Sequence, residues 1–271
     1  MSSVRFLSLT GAAATLIALT SCGNPQTSTP ATPEANGSPA TTSQTTASLS
    51  TATDQQPDVD YMTTLGLMKG HLLVAKELLD QGKPDQAEPH IGHPIEELYA
   101  DVETQLPKRN AKDFKPTLTT LHDFVKSKPN APKITTEYKA AMQGIDQAIE
   151  ALPASVRQSP DFILSVINRM LSTAEEEYSA AIANGKIVET IEYQDTRGFI
   201  LYANSLYQNI ADQVSQDYPD AAQTLESSLN ELQNAVPSAT PPTTPVKTPE
   251  EVSTLTQTIQ QTSQTITPSP S

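Results

Sequence analysis

The chain has 271 residues and a formal net charge of −14, with 31 acidic side chains against 17 basic ones. That balance excludes nucleic-acid binding through a basic face and favours cations or basic partners. No tryptophan, five phenylalanines and ten glycines argue against an aromatic-rich β-sandwich or a glycine-rich nucleotide-binding fold.

Residues 1–21 carry Arg5, then an apolar run through Ala12, Ala13, Ala14, Leu16, Ile17, Ala18 and Leu19, and end at Leu19-Thr20-Ser21-Cys22 with Gly23 behind. This pattern resembles a bacterial lipoprotein signal peptide. The resemblance implies cleavage before Cys22, a diacylglycerol on its thiol and an acyl chain such as palmitate on the new amino end. Such a protein is exported and anchored to a bacterial membrane through Cys22, with its domain facing the periplasm or the cell exterior. Cys22 is also the single cysteine, so no disulfide forms within the chain. Residues 22–57 hold nine Thr, five Ser and five Pro, with Leu49 as the one large apolar side chain. Such a stretch cannot bury enough surface to offset its ordering entropy, and it reads as a disordered tether with a root-mean-square span of about 33 Å.

From Asp58 onward the periodicity is helical. The first helix runs from Asp58 or Asp60 to Gln81 and carries two apolar stripes, Tyr61/Leu65/Met68/Leu72 and Leu67/His71/Val74/Leu78, which makes it a central helix. A second starts at Asp85, bends around Gly92 between Pro89 and Pro94, and resumes through Ile95, Leu98, Val102 and Leu106. Helices over Pro116–Lys126 and Ile134–Leu152 follow, each closed by a proline, and a fifth runs from Ser159-Pro160-Asp161 to the stop signal Asn184-Gly185. A sixth spans Glu189–Asp217 and a seventh runs from Tyr218-Pro219-Asp220 to Val236. The expected fold is all-α: a single bundle of about seven helices over residues 58–236. Residues 237–271, with ten Thr and seven Pro, form a disordered tail in which 249–264 is a marginal short helix.

Three of the four histidines fall in the first helical hairpin. His71 interrupts an apolar stripe, where an imidazole is costly unless both nitrogens find partners. His90 and His93 are three apart, and Glu96 and Glu97 follow His93 by three and four, on one α-helical face. Tracing the Phe199 stripe backward gives Asp195 and Glu192, and Glu177 extends the line of Ile163, Val166 and Met170. Inward carboxylates and imidazoles on facing helices are how bundles hold iron, copper, zinc or manganese. The ligand set expected is His71, His93 and Glu96, with His90 and Glu97 as alternates and Glu177, Glu192 and Asp195 behind them. For Glu192 and Asp195 a role at the positive helix terminus competes, as does pairing with Arg197.

Gly92-His93-Pro94-Ile95-Glu96-Glu97-Leu98 is similar to the His-x-x-Glu signature of the imelysin family, exported and often lipid-anchored helical bundles associated with iron acquisition. His93, Ile95 and Glu96 match in order, while Gly92 directly before His93 and Pro94 directly after it depart from the family pattern. By this resemblance His93 and Glu96 are metal-site residues. No His-Glu-x-x-His string, Gly-x-Ser-x-Gly elbow or phosphate loop is present. His122, beside Leu118, Leu121 and Val125, reads as a helix-edge residue. The leading expectation is therefore an exported metal-binding bundle serving metal uptake or homeostasis, without enzyme activity. A non-catalytic envelope scaffold meeting a basic protein partner comes second, and a metallohydrolase third.

Overall fold

The computed structural model describes residues 47–266. The signal, Cys22 and the first part of the tether lie outside the described residues. Helix α1, Ala47–Asp80, begins before Asp58, so residues 47–57 belong to a helix instead of the tether. It ends where Gly82, at φ 70°, lets the Gly82 and Lys83 amides bond back to Leu79 and Leu78.

Helix α2, Pro84–His93, does not break at Gly92. It passes into a π-helical turn over Pro94–Leu98 and then into α3, Tyr99–Glu103. Pro94 has no N–H to continue the α-helical ladder, and the wide turn takes up that loss. Next come α4, Lys115–Ser127, and α5, Ile134–Glu150, close to the expected spans, then a short α6, Ala154–Arg157.

Helix α7, Pro160–Ala181, ends earlier than expected. Asn184-Gly185 is not its stop but the two-residue turn of a small antiparallel hairpin, β1 Ile182–Ala183 with β2 Lys186–Ile187. Both turn residues have positive φ, 54° and 68°, as the mirror-image hairpin turn requires. The expected sixth helix is divided at Asn209-Ile210 into α8, Thr190–Gln208, and α9, Ala211–Asp217. Helix α10, Pro219–Ala235, follows.

The C-terminal segment is ordered through Ile266, contrary to its composition. Helix α11, Pro249–Ile266, packs on α10 and α7. Thr248 and Glu251 cap it reciprocally, the Thr248 amide donating to the carboxylate and the Glu251 amide to the hydroxyl. Its buried stripe alternates large and small residues: Val252, Thr256, Ile259, Ser263 and Ile266. The Thr256 and Ser263 hydroxyls bond carbonyls of their own helix, so these polar residues are buried without orphaned groups. The proline-rich crossing between α10 and α11 is tied down by Tyr178, whose hydroxyl donates to the Lys247 carbonyl at 2.7 Å.

The architecture is all-α apart from that hairpin. Helices α7, α8, α10 and α11 contact one another in a ring, a four-helix bundle. Helix α1 lies against α7 and α8 on one side and against α2 and α5 on the other, with α4 packed on α2 and α5. Both of its apolar stripes are therefore buried, with Leu65, Met68 and Leu72 of the first and Val74 and Leu78 of the second inaccessible. Among the described residues no helix is long and apolar enough to cross a membrane.

Candidate metal centre

Two glycines decide how closely α1 and α8 approach. A Cβ on Gly198 would stand 2.2 Å from the Gly70 carbonyl oxygen, and one on Gly70 would stand 3.0 Å from the Gly198 carbonyl. Backbone thus meets backbone at this crossing. His71 follows Gly70, and Asp195 lies one turn before Gly198, so the close crossing brings this pair together.

His71, His90, His93 and Asp195 each offer a ligand atom, all within 4.8 Å of one another. The Nδ1 atoms of the three imidazoles surround one carboxylate: His71 at 2.6 Å and His90 at 2.7 Å from Asp195 Oδ1, His93 at 3.4 Å from Oδ2. His90 is fully buried, and its other nitrogen, Nε2, is 2.8 Å from the Gln194 side-chain oxygen. Phe199 packs edge-on against the His71 ring, with centroids 4.9 Å apart. The His93 Nδ1 atom is buried and makes no hydrogen bond.

Electrostatics divides these groups. Burial pushes the Asp195 carboxyl up, but His71, His90 and His93 together outweigh it and hold the carboxyl well below its ordinary range. Burial holds His71 below the ordinary imidazole value in spite of Asp195. His93 is raised, because the Asp195 carboxylate, with help from Glu97 and Glu177, overcomes desolvation. The expected ligands Glu177 and Glu192 stand beside the cluster, outside the group of four. Glu177 is pushed up to about 7 by burial and by the charges of Asp195, Glu192 and Glu97, and Glu192 keeps a buried, unpartnered Oε2.

Between pH 4.5 and about 7 the folded chain therefore holds a proton on Glu177 that the unfolded chain releases, and this residue's contribution to stability falls as pH rises. Glu177→Gln should accordingly raise stability at pH 8 and change it little at pH 5. Urea unfolding in chelator at both pH values checks this; equal effects at the two would place the carboxyl in a water-like setting.

The remaining expected residues lie elsewhere. Glu96 and Glu97 are exposed. The i+3 and i+4 spacing from His93 assumed an α-helix, and the π-helical turn over Pro94–Leu98 breaks that register. Glu97 still acts on His93 through charge, whereas Glu96 stands apart from the cluster. Arg197 does not neutralise Asp195: it bonds Glu77 on α1 at 2.7 Å and the Val236 carbonyl at 2.6 Å. His122 lies at the edge of α4, its Nε2 2.6 Å from Glu88. Gln194, which contacts His90, sits one position off the stripe that runs back from Phe199, so helical periodicity does not mark it as a ligand-positioning residue.

No curated protein and no solved structure matches the chain. Residues 153–270 match the model of an iron permease-associated 4-helix bundle domain. This stretch includes the α7, α8, α10, α11 bundle and contributes Gln194 and Asp195 to the site, while the three histidines come from the chain before it. By this match the C-terminal part of the chain is similar to a helical-bundle domain whose description ties it to iron transport.

Proposed function

We propose that this protein is an exported, lipid-anchored bundle that binds a divalent transition-metal ion, iron foremost, through His71, His90, His93 and Asp195, as cargo in metal uptake or homeostasis. The observation that carries this reading is the pair of contacts on His90. Both ring nitrogens face acceptor oxygens, Asp195 Oδ1 and Gln194 Oε1. A neutral imidazole satisfies only one of them, and the other contact needs a positive species, a proton or a metal ion, between nitrogen and oxygen. The His93 Nδ1, 3.4 Å from Asp195 Oδ2 and without a well-formed hydrogen bond, fits the same need.

The donor set suits the ion. Imidazole nitrogen with one carboxylate is the chemistry of Fe(II), Zn(II) and Cu(II), whereas soft Cu(I) would prefer sulfur ligands. A span of 4.8 Å lies close to the roughly 4.2 Å across an octahedron with bonds of about 2.1 Å, so small side-chain shifts would suffice. The preference for iron rests on the similarity of residues 153–270 to the iron permease-associated domain. The anchor rests on the signal-like sequence ending at Cys22. It predicts that fatty-acid labelling in a bacterial host depends on Cys22 and disappears in Cys22→Ser; labelling that persists in the variant would remove the anchor from this reading.

Calorimetric titration of tag-free, chelator-stripped protein with Fe(II), Zn(II) and Cu(II) tests the site. Micromolar or tighter binding is expected, about 8 kcal/mol, falling at least a hundredfold in the His71→Ala/His93→Ala double variant. Binding no tighter than about millimolar, or unchanged in that variant, would leave the cluster as a self-satisfied polar network in an envelope scaffold.

A further inference from the structure

The Gln194 side chain is 1 % exposed and has a partner for both of its polar atoms. Its Nε2 donates to the Ala239 carbonyl at 2.9 Å and to Gln86 Oε1 at 3.3 Å, and its Oε1 lies 2.8 Å from His90 Nε2. Flipping the amide would set its oxygen against two other oxygens, so the orientation is fixed by its surroundings. An amide oxygen only accepts, which places a proton on His90 Nε2.

We propose that Gln194 is the positioning residue of the cluster. It holds the His90 proton at Nε2 and so keeps Nδ1 as the nitrogen that faces Asp195 and an incoming ion. The functional meaning of this role rests on the metal-binding reading; the hold on the tautomer does not. A histidine ligand with its second nitrogen committed to a partner is oriented and more basic, and loss of such a partner costs about ten- to a hundredfold in metal affinity.

Gln194 is in turn held by the crossing between α10 and α11. The Ala239 carbonyl accepts from it, and the Ala239 amide donates to Glu77 Oε1 at 2.9 Å. Glu77 and the Val236 carbonyl both accept from Arg197, three residues after Gln194 on α8. A closed circuit of hydrogen bonds thus links α1, α8 and the crossing, with His90 attached to it through one amide. The segment whose composition reads as a tail supplies the backbone oxygen that orients a metal-site side chain.

The test uses the full chain with histidine labelled at its ring nitrogens. In metal-free wild type, nitrogen NMR should show His90 carrying a proton on Nε2 that exchanges slowly with water. Gln194→Met, similar in volume but without the acceptor, should lose that slow exchange. Titration with Co(II) should then show affinity about ten- to a hundredfold weaker in Gln194→Met, with an altered visible spectrum. An unprotonated Nε2 in wild type, or slow exchange and cobalt affinity unchanged in Gln194→Met, would overturn the proposal. Should Gln194→Met fail to fold, the wild-type spectrum decides by the same criterion. Failure of wild type to bind Co(II) would overturn the metal-binding reading alone, because the tautomer is read on metal-free protein.

Discussion

Gly198→Ala should be among the most damaging additions of one methyl group to this protein. The new Cβ would lie 2.2 Å from the Gly70 carbonyl oxygen and 2.7 Å from its carbonyl carbon, both backbone atoms of a central helix. A side chain could rotate out of the way, but here α1 and α8 must move apart as units. Overpacking of this kind costs about 3 kcal/mol or more when nothing flexible can yield. The separation also pulls His71 from Asp195, so metal affinity should fall together with stability. Gly70→Ala should cost less, since its closest neighbour is the Phe199 ring edge at 2.7 Å and the Gly198 backbone is at 3.0 Å. Thermal unfolding of the two variants orders them; a Gly198→Ala midpoint equal to wild type would contradict the close crossing.

The second large effect is expected from Asp195→Asn. The carboxylate faces His71 Nδ1 at 2.6 Å and His90 Nδ1 at 2.7 Å in a buried setting, and the amide that replaces it keeps one acceptor oxygen and no charge. Losing charged hydrogen bonds inside the fold should cost about 3 kcal/mol at pH 7 in metal-free protein. Metal binding should drop at least a hundredfold in the same variant. The Asp195 carboxyl sits well below its ordinary value in the folded chain, so its contribution is fully present above the unfolded value of 3.8 and is lost as pH falls through the folded one. The difference between wild type and Asp195→Asn should therefore shrink on acidification below pH 4. Urea unfolding from pH 7 to pH 3 reads this directly; a gap that stays constant would mean that the carboxylate charge is not what Asn removes.

Much of this arrangement is legible in the residue pattern, and where it is not the reasons are local. His71 declares itself as the polar member of an apolar stripe, and Asp195 emerges from continuing the Phe199 stripe toward the helix start. Both inferences hold because α1 and α8 are regular helices, for which a period of 3.6 residues is valid. Glu96 fails as a cluster member because the chain after His93 is not an α-helix, so spacing no longer reports direction. Asn184-Gly185 serves a helix end and a hairpin turn equally well, and only the pairing of Ile182 with Ile187 separates the two. The Thr256 and Ser263 positions hide a buried face, because small hydroxyl residues weaken the apolar signal of α11 while still packing. The contacts of Gln194 are beyond the reach of periodicity, because its partner Ala239 lies 45 residues away.

The distance in sequence between α1 and α8 has a kinetic meaning as well. His71 and Asp195 are separated by 124 residues and His90 and Asp195 by 105. Contacts of such span are reached late, after local helices have formed and the long intervening loop has been closed. The three histidines, by contrast, lie within 22 residues of one another on a single helical hairpin. The carboxylate is thus the last member to reach the cluster, whereas one local hairpin brings the three imidazoles together. An ion held by the hairpin alone would lack an anionic ligand until α8 closes over it.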